Sequence, residues 1–304
     1  MEAMKVRIGY GLGVRTTLND HSFLEVVDTL EALRFDSLWL SERIGGEAPD
    51  PLVAMAMAAA RTTHLKIGMS VMVLPGRNPI VLAKELATLD RMSKGRLLPA
   101  FGLGVADPHE QQAFGVERSQ RAKMFNEALT VMRACWSEDE VTFHGEFFHY
   151  DKLRVRPHPV QSPPEVWLGG IAESELKRVG RLADGWLPSF VTPADALAGW
   201  NTVTSVAAQH EREIESEHFG VLIPYVLGDA PAPLLDSLKI RRPDLDDVSV
   251  LVPNSWDALS NTIEQFIAVG ASKFVVVPLI EPRGVQEWND HLAQAAQRLM
   301  PLQN

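Results

Sequence analysis

The sequence predicts an α/β fold, a (β/α)8 TIM barrel with insertions, and three observations predict it. Short apolar, β-rich runs alternate with helical patterns almost from end to end, which is the pattern of repeated βα units around a parallel sheet. Eight such strand-like runs can be traced, the number a barrel of this class needs. The chain has 304 residues, a length one barrel can fill, and no polar linker divides it into two self-sufficient halves. The expected organisation is therefore one barrel domain over 1–304, with insertions at about 138–164 and 229–253.

The elements follow in order. VRIGYGLG (6–13) reads as the first strand, and Ser22 with Glu25 has capping-box spacing for a helix that presents Phe23, Val26, Val27, Leu30 and Leu33 on one face. FDSLWLS (35–41) is the second strand. Asp50-Pro51 caps an alanine-rich helix through Arg61. LKIGMSVMVL (65–74) is apolar throughout, as a strand covered on both faces is. Asn78-Pro79 opens the next helix and Lys94-Gly95 closes it before RLLPAFGLG (96–104). A helix is predicted over roughly 119–136, and VWLGG ends a fifth strand at 170, followed by a helix into ADGWLPSF (183–190). HFGVLIPYVLG (218–228) and KFVVVPLI (273–280) complete the strands, with helices at about 255–269 and 284–299. The insertion at 138–164 reads as a hairpin plus a proline-rich strap, and 229–253 as loop and short helix.

Composition narrows the function. Hydrophobic residues make up 46% and charged residues 22%, ordinary for a globular core. The net charge of −10 is spread along the chain rather than blocked, which disfavours nucleic acid as a partner. Cys135 is the single cysteine, so an intrachain disulfide and a thiolate metal cluster are excluded and a reducing compartment is expected. The start, MEAMKVRIGYGLG, lacks a signal-peptide pattern and no window is apolar enough to span a bilayer. A cytoplasmic protein with no membrane partner is the expectation.

Barrels of this class build their sites at the C-terminal ends of the strands. Those ends carry Gly11 and Gly13; Ser41, Glu42 and Arg43; Ser70 and Val71; Gly102 and Gly104; Gly169 and Gly170; Ser189; and Glu281 with Arg283. The glycine pair in VWLGGIAESELKRVG runs into a helix whose free N–H groups point back at it, a ready seat for an anion. Arg178 or Arg181 on that helix is a candidate helper, the competing reading being solvated helix-face arginines. His109 and Glu110 follow strand 4 and read as solvating loop residues or catalytic candidates. His144, His149 and His158 lack metal-ligand spacing. Trp39, Met69, Met72 and Trp186 read as core or cofactor wall.

The chain resembles the luciferase-like monooxygenase superfamily of flavin and deazaflavin enzymes. FDSLWLSE (35–42), DPL (50–52), KIGMSVMVLPGRNPIVLAKELATLDRMSKGRL (66–97), FGLGV (101–105), RPHPVQSPPEVWLGG (156–170) and ADGWLPS (183–189) carry the likeness. The third and fourth strands look most like the branch that uses the deazaflavin coenzyme F-420. The resemblance implies a bacterial luciferase-like barrel with the coenzyme over its mouth. Its phosphate would lie near Gly169, Gly170, Ile171 and Ser174, and a bulge with a non-prolyl cis peptide at Ser70–Val71 would sit behind its ring. Ser41, Gly102 and Gly104 complete the expected cofactor contacts. Many members carry an Asp-His pair after strand 2 where this chain has Ser41-Glu42, which leaves Glu42 as the candidate proton donor. The implied activity is hydride transfer between F-420 and a small-molecule substrate. An FMN-dependent monooxygenase using reduced flavin and oxygen is the alternative, and a non-catalytic flavin-binding protein ranks lower. A (β/α)8 glycosidase using Glu42 and Glu281 is a further contrast, disfavoured by the glycine pairs. The pocket walls are expected to come from the two insertions, and a homodimer is compatible with the likeness.

Overall fold

The computed structural model describes residues 4–18 and 20–304, with the side chain of Asp20 left aside. Strands β1 (Arg7–Leu12), β2 (Ser37–Leu40), β3 (Lys66–Met69), β4 (Met72–Val73), β5 (Leu97–Leu98), β6 (Ala100–Gly102), β9 (Trp167–Leu168), β10 (Gly185–Trp186), β11 (Gly220–Tyr225) and β12 (Lys273–Pro278) form the sheet. All their pairings are parallel. β3 and β4 are two halves of one staved position interrupted at Ser70–Val71, and β5 and β6 are halves of another interrupted at Pro99. That leaves eight positions around the ring. β1 is bonded to β2 on one side and β12 on the other, β6 to β9, and single bridges Trp186↔Phe219 and Ser189↔Leu222 join β10 to β11. The barrel is thus closed.

Helices α1 (Asp20–Ala32), α2 (Pro51–Arg61), α3 (Pro79–Met92), α4 (Pro108–Phe114), α5 (Arg121–Ser137), α6 (Glu173–Leu182), α7 (Pro193–Gln209), α8 (Ala232–Arg241), α9 (Trp256–Ala268) and α10 (Gly284–Leu299) accompany the strands. The Asp50 carboxylate accepts from Val53 N at 3.0 Å, and the Asn78 side chain from Ile80 N at 3.0 Å and Val81 N at 3.2 Å, so both proline-led starts are capped as the sequence predicts. α1 instead begins at Asp20, two residues before Ser22, so Ser22 lies inside the helix. α7, which the sequence reading passes over, has a Thr192–Asp195 capping box.

The insertion 138–164 is an antiparallel hairpin, β7 (Val141–His144) with β8 (His149–Leu153), and a strap with cis peptides before Pro157 and Pro163. It is tied to the barrel's outer helices: Lys84 Nζ donates to Arg156 O at 2.6 Å, and Asp90 accepts from Val160 N at 2.6 Å. The insertion 229–253 holds α8 and a short 3-10 turn over a small satellite core of Val226, Leu238, Val248, Leu251 and Val252.

Inside the ring, charge sits low. Lys273, 2% exposed, gives Nζ to Asp36 at 2.8 Å and stands over Trp39 and Trp167, while Lys66 reaches the other Asp36 oxygen at 3.2 Å. Burial pushes the Asp36 carboxyl up, but the two lysines outweigh it and hold it well below the usual range. These groups lie at the N-terminal ends of the strands, the face that serves stability in such barrels. Asp36→Asn strands Lys273 beside an uncharged partner, and removing one member of a buried pair costs about 3–5 kcal/mol. Urea denaturation is expected to show a loss of about 3 kcal/mol or more.

Glu31 joins α1 to the start of β3 by accepting from Thr63 N at 2.7 Å, His64 N at 3.0 Å and Leu65 N at 2.7 Å. Burial raises its carboxyl, and these N–H donors outweigh burial and bring it down to about 2. Because the folded value lies below the unfolded one, its contribution is present above the unfolded pKa and is lost as pH falls toward about 2. Glu31→Gln is expected to flatten the pH dependence of the unfolding midpoint between about pH 5 and pH 2.

Candidate active site

The C-terminal mouth holds a cavity of about 510 Å³, within the range of small-molecule sites. Its walls gather Ser41, Glu42, Ser70, Val71, Gly102, Gly104, Gly169 and Gly170 from four strand ends that are distant in sequence. Ser189 and Glu110 line it too.

The back wall is the break between β3 and β4. The Ser70–Val71 peptide is cis, as the likeness implied. Ser41 Oγ donates to Ser70 O at 3.3 Å, and Ser70 Oγ is buried with no hydrogen-bond partner among the described residues. A Cβ on Gly102 would lie 2.5 Å from Val71 Cγ2, so glycine there is what lets the Val71 side chain stand over β6.

Glu42 lines the cavity, yet both its oxygens are taken. Val73 N donates to Oε2 at 2.7 Å, and Arg77 pairs with Oε1. Arg77 also donates to Val73 O at 2.8 Å. Together the two side chains clamp β4 directly after the break. Burial pushes the Glu42 carboxyl above the usual range, with the Val73 N–H and Arg77 opposing it. Glu42 is therefore placed as an acceptor of protein hydrogen bonds. Glu281, at the rim, is also raised by burial, and accepts from Gly13 N at 3.3 Å. Glu110, 7% exposed, accepts from Ile44 N at 3.3 Å and Gly45 N at 3.2 Å and pairs with Arg43 at 3.4 Å, so it braces the loop after β2.

At the glycine pair, Gly170 has φ +96°, a conformation L residues rarely adopt. The two amides of this turn that lead into α6 are already occupied by a protein group. Glu175 Oε2 accepts from Ile171 N and Ala172 N at 3.0 Å each. Arg178 is 9% exposed, faces the cavity, donates to the neutral Asn126 Oδ1 at 3.2 Å and lies over the Phe125 ring. Among the described residues no carboxylate is within ion-pairing distance of it. Burial pulls its guanidinium below the ordinary value, against Glu175. Arg241 of α8 completes this side and stacks on Phe190 with its Cζ 4.6 Å from the ring centroid.

Other expected residues fall elsewhere. Ile171 is 40% exposed and borders a second hollow beside Trp186 and Arg241, while Ser174 is exposed on the first turn of α6. Arg181 is exposed, with Nε on Lys177 O. His109 is exposed on α4, and His144, His149 and His158 lie on the hairpin and strap. Trp39, Met69, Met72 and Trp186 are core. Of the two insertions expected to wall the pocket, 229–253 contributes Arg241, whereas 138–164 contributes no lining residue because it is held against the outer helices. Glu175, Arg241 and Phe190 were not singled out from sequence. For Glu175 a signal existed, since a Glu three places after the residue that opens a helix is the reciprocal half of a capping box.

A family model described as luciferase-like monooxygenase matches residues 8–248. The chain belongs to the luciferase-like monooxygenase family. The chain is similar to an F-420-dependent glucose-6-phosphate dehydrogenase of Kineococcus radiotolerans, 32% identical over 162 residues, which cover 50% of this chain and 47% of that one. The chain spans about half the length of such curated relatives. An F-420-dependent secondary alcohol dehydrogenase in complex with an F-420–acetone adduct superposes with TM-score 0.80 at 20% identity, covering 99% of this chain and 100% of that one. The oxygenating constituent of 3,6-diketocamphane monooxygenase of Pseudomonas putida, in complex with FMN, gives TM-score 0.78 at 15% identity over 98% and 99%. At these identities the two structures establish the shared fold. The relatives named for F-420 are enzymes of the oxidoreductase type.

Glu42→Gln removes the charge that Arg77 and Val73 N–H share, and hydrogen bonds to a charged group contribute about 1.5–3 kcal/mol. The unfolding free energy of the variant is expected to fall by about 2 kcal/mol in a denaturant titration.

Proposed function

We propose that this protein is an F-420-dependent oxidoreductase that moves a hydride between the coenzyme and a small organic substrate. The observation that carries the reading is Arg178: a buried cation without a carboxylate partner among the described residues, facing the cavity beside Gly169–Gly170. Burying a guanidinium opposite only a neutral amide is costly unless an anion completes the site. Its position next to the α6 amides suits a phosphate, which both features favour. The relatives named for F-420 support that coenzyme over FMN.

When bound, the deazaflavin supplies the carbon that accepts or gives the hydride. The protein's part is binding, orientation and polarity. Val71 and Ser70 would support the ring from behind, with Glu42 and Arg77 holding that wall in place. Gly102 and Gly104 keep the adjacent wall low. Arg178 and Arg241 would hold the phosphate, with Glu175 giving up the Ile171 and Ala172 amides to it. Glu281, bonded to Gly13 N beside the cavity, has no cation partner among the described residues, which leaves it freer than Glu42, held by Arg77 and Val73 N–H, to exchange a proton with a substrate. An FMN-dependent monooxygenase uses the same scaffold, and oxygen consumption with reduced FMN separates the two readings.

Fluorescence titration is expected to show F-420 binding at least tenfold tighter than FMN, a difference of about 1.4 kcal/mol. Arg178→Met is expected to weaken F-420 at least tenfold while leaving the affinity for the dephosphorylated deazaflavin riboside within about threefold. Equal losses for both ligands would move the phosphate away from Arg178.

A further inference from the structure

The mouth cavity is divided in its chemistry. Every arginine that lines it belongs to one side or is already neutralised. Arg43 is paired with Asp107 at 3.3 Å and with Glu110 at 3.4 Å, and Arg178 and Arg241 stand by the glycine pair. The opposite arc is made by the ends of β11, β12 and β1, which contribute Leu222, Pro224, Val277, Leu279, Gly13 and Val14. None of these six side chains carries a charge or a hydrogen-bonding group. The titratable group bonded to this arc is Glu281, a carboxyl, through Gly13 N.

Around the ring, this arc faces the Ser70–Val71 wall. A coenzyme with its ring on that wall and its phosphate at Arg178 leaves the apolar arc to the second reactant. We infer that the substrate is an uncharged, largely apolar small molecule and not a phosphorylated sugar, an inference that rests on the coenzyme reading above. An anionic head group here would be desolvated against aliphatic side chains with a carboxyl at the rim and no free cation within the arc, which is a heavy penalty. An alkyl chain would instead gain from every methylene it buries, by up to about fourfold in affinity.

The test uses the complex with oxidised F-420, in which a ketone binds without turnover, and reads the coenzyme's fluorescence. A first titration with F-420 alone checks the coenzyme reading, and failure to bind there overturns that reading and this inference with it. Where F-420 binds, a series from 2-butanone to 2-octanone and glucose 6-phosphate are then titrated. The expected result is a Kd that falls about two- to fourfold with each added methylene, with glucose 6-phosphate weaker than the longer ketones. A flat series, no ketone binding, or glucose 6-phosphate binding tighter than every ketone overturns the inference and leaves the coenzyme reading intact. Leu222→Asp is expected to erase the chain-length gradient with F-420 affinity held within about threefold, and an unchanged gradient in that variant places the substrate elsewhere.

Discussion

Ring closure is the constraint on which the rest depends. β1 is hydrogen-bonded on both sides, to β2 with Leu12 opposite Leu40 and to β12 with Tyr10 opposite Val276. Those registers bring residues some 260 positions apart in sequence to one rim, as the bond from Gly13 N to Glu281 shows. Without closure, the apolar arc and the back wall would not face each other. Closure also forces the interior to be filled, and it is filled by Trp39, Trp167 and a buried lysine with its aspartate. The cavity opens at the other end of the ring, at the C-terminal ends of the strands.

Much of this was legible because it is written locally. The alternation of apolar runs and helical patterns gives the barrel, and Asp50-Pro51 and Asn78-Pro79 mark helix starts through side chains acting within three residues. Strand-end position was enough to place Ser41, Ser70, Val71, Gly102, Gly104, Gly169 and Gly170 around one cavity. What sequence could not give depends on who packs against whom. Arg178 differs from Arg181 only in the face of α6 it occupies, and that face is buried by α5 through Asn126 and Phe125. Arg241 comes from an insertion that its prolines and aspartates mark in the sequence, and nothing in that composition points to an arginine at the mouth. Glu42 was placed at the mouth by the strand-end rule, while its engagement with Arg77 and Val73, 31 or more positions away, is a tertiary fact.

The charge economy of the molecule follows the same division. A chain of net charge −10 would repel an anionic coenzyme at long range, so attraction has to be local. On the proposed reading it is local: pairs such as Arg61–Asp28, Arg154–Glu140 and Lys177–Glu173 lie on the surface, while Arg178, with no carboxylate partner among the described residues, is set in the cavity wall. Burial lowers the dielectric around it, which strengthens its pull on an incoming anion and limits that pull to short range.

The turn after β9 carries one more consequence. Because Glu175 sits on the first turn of α6, three and four residues from the Ala172 and Ile171 amides it accepts from, it would compete with any free anion for them at an effective concentration in the millimolar range or higher. Acetate, chloride and ordinary carboxylate metabolites, each bringing one negative charge, have nothing to offer those amides that the resident oxygen lacks. A dianion that can also reach Arg178 does. On the proposed reading the turn would act as a filter: Glu175 would hold the place of the ligand, and only an anion that binds better than its carboxylate would displace it.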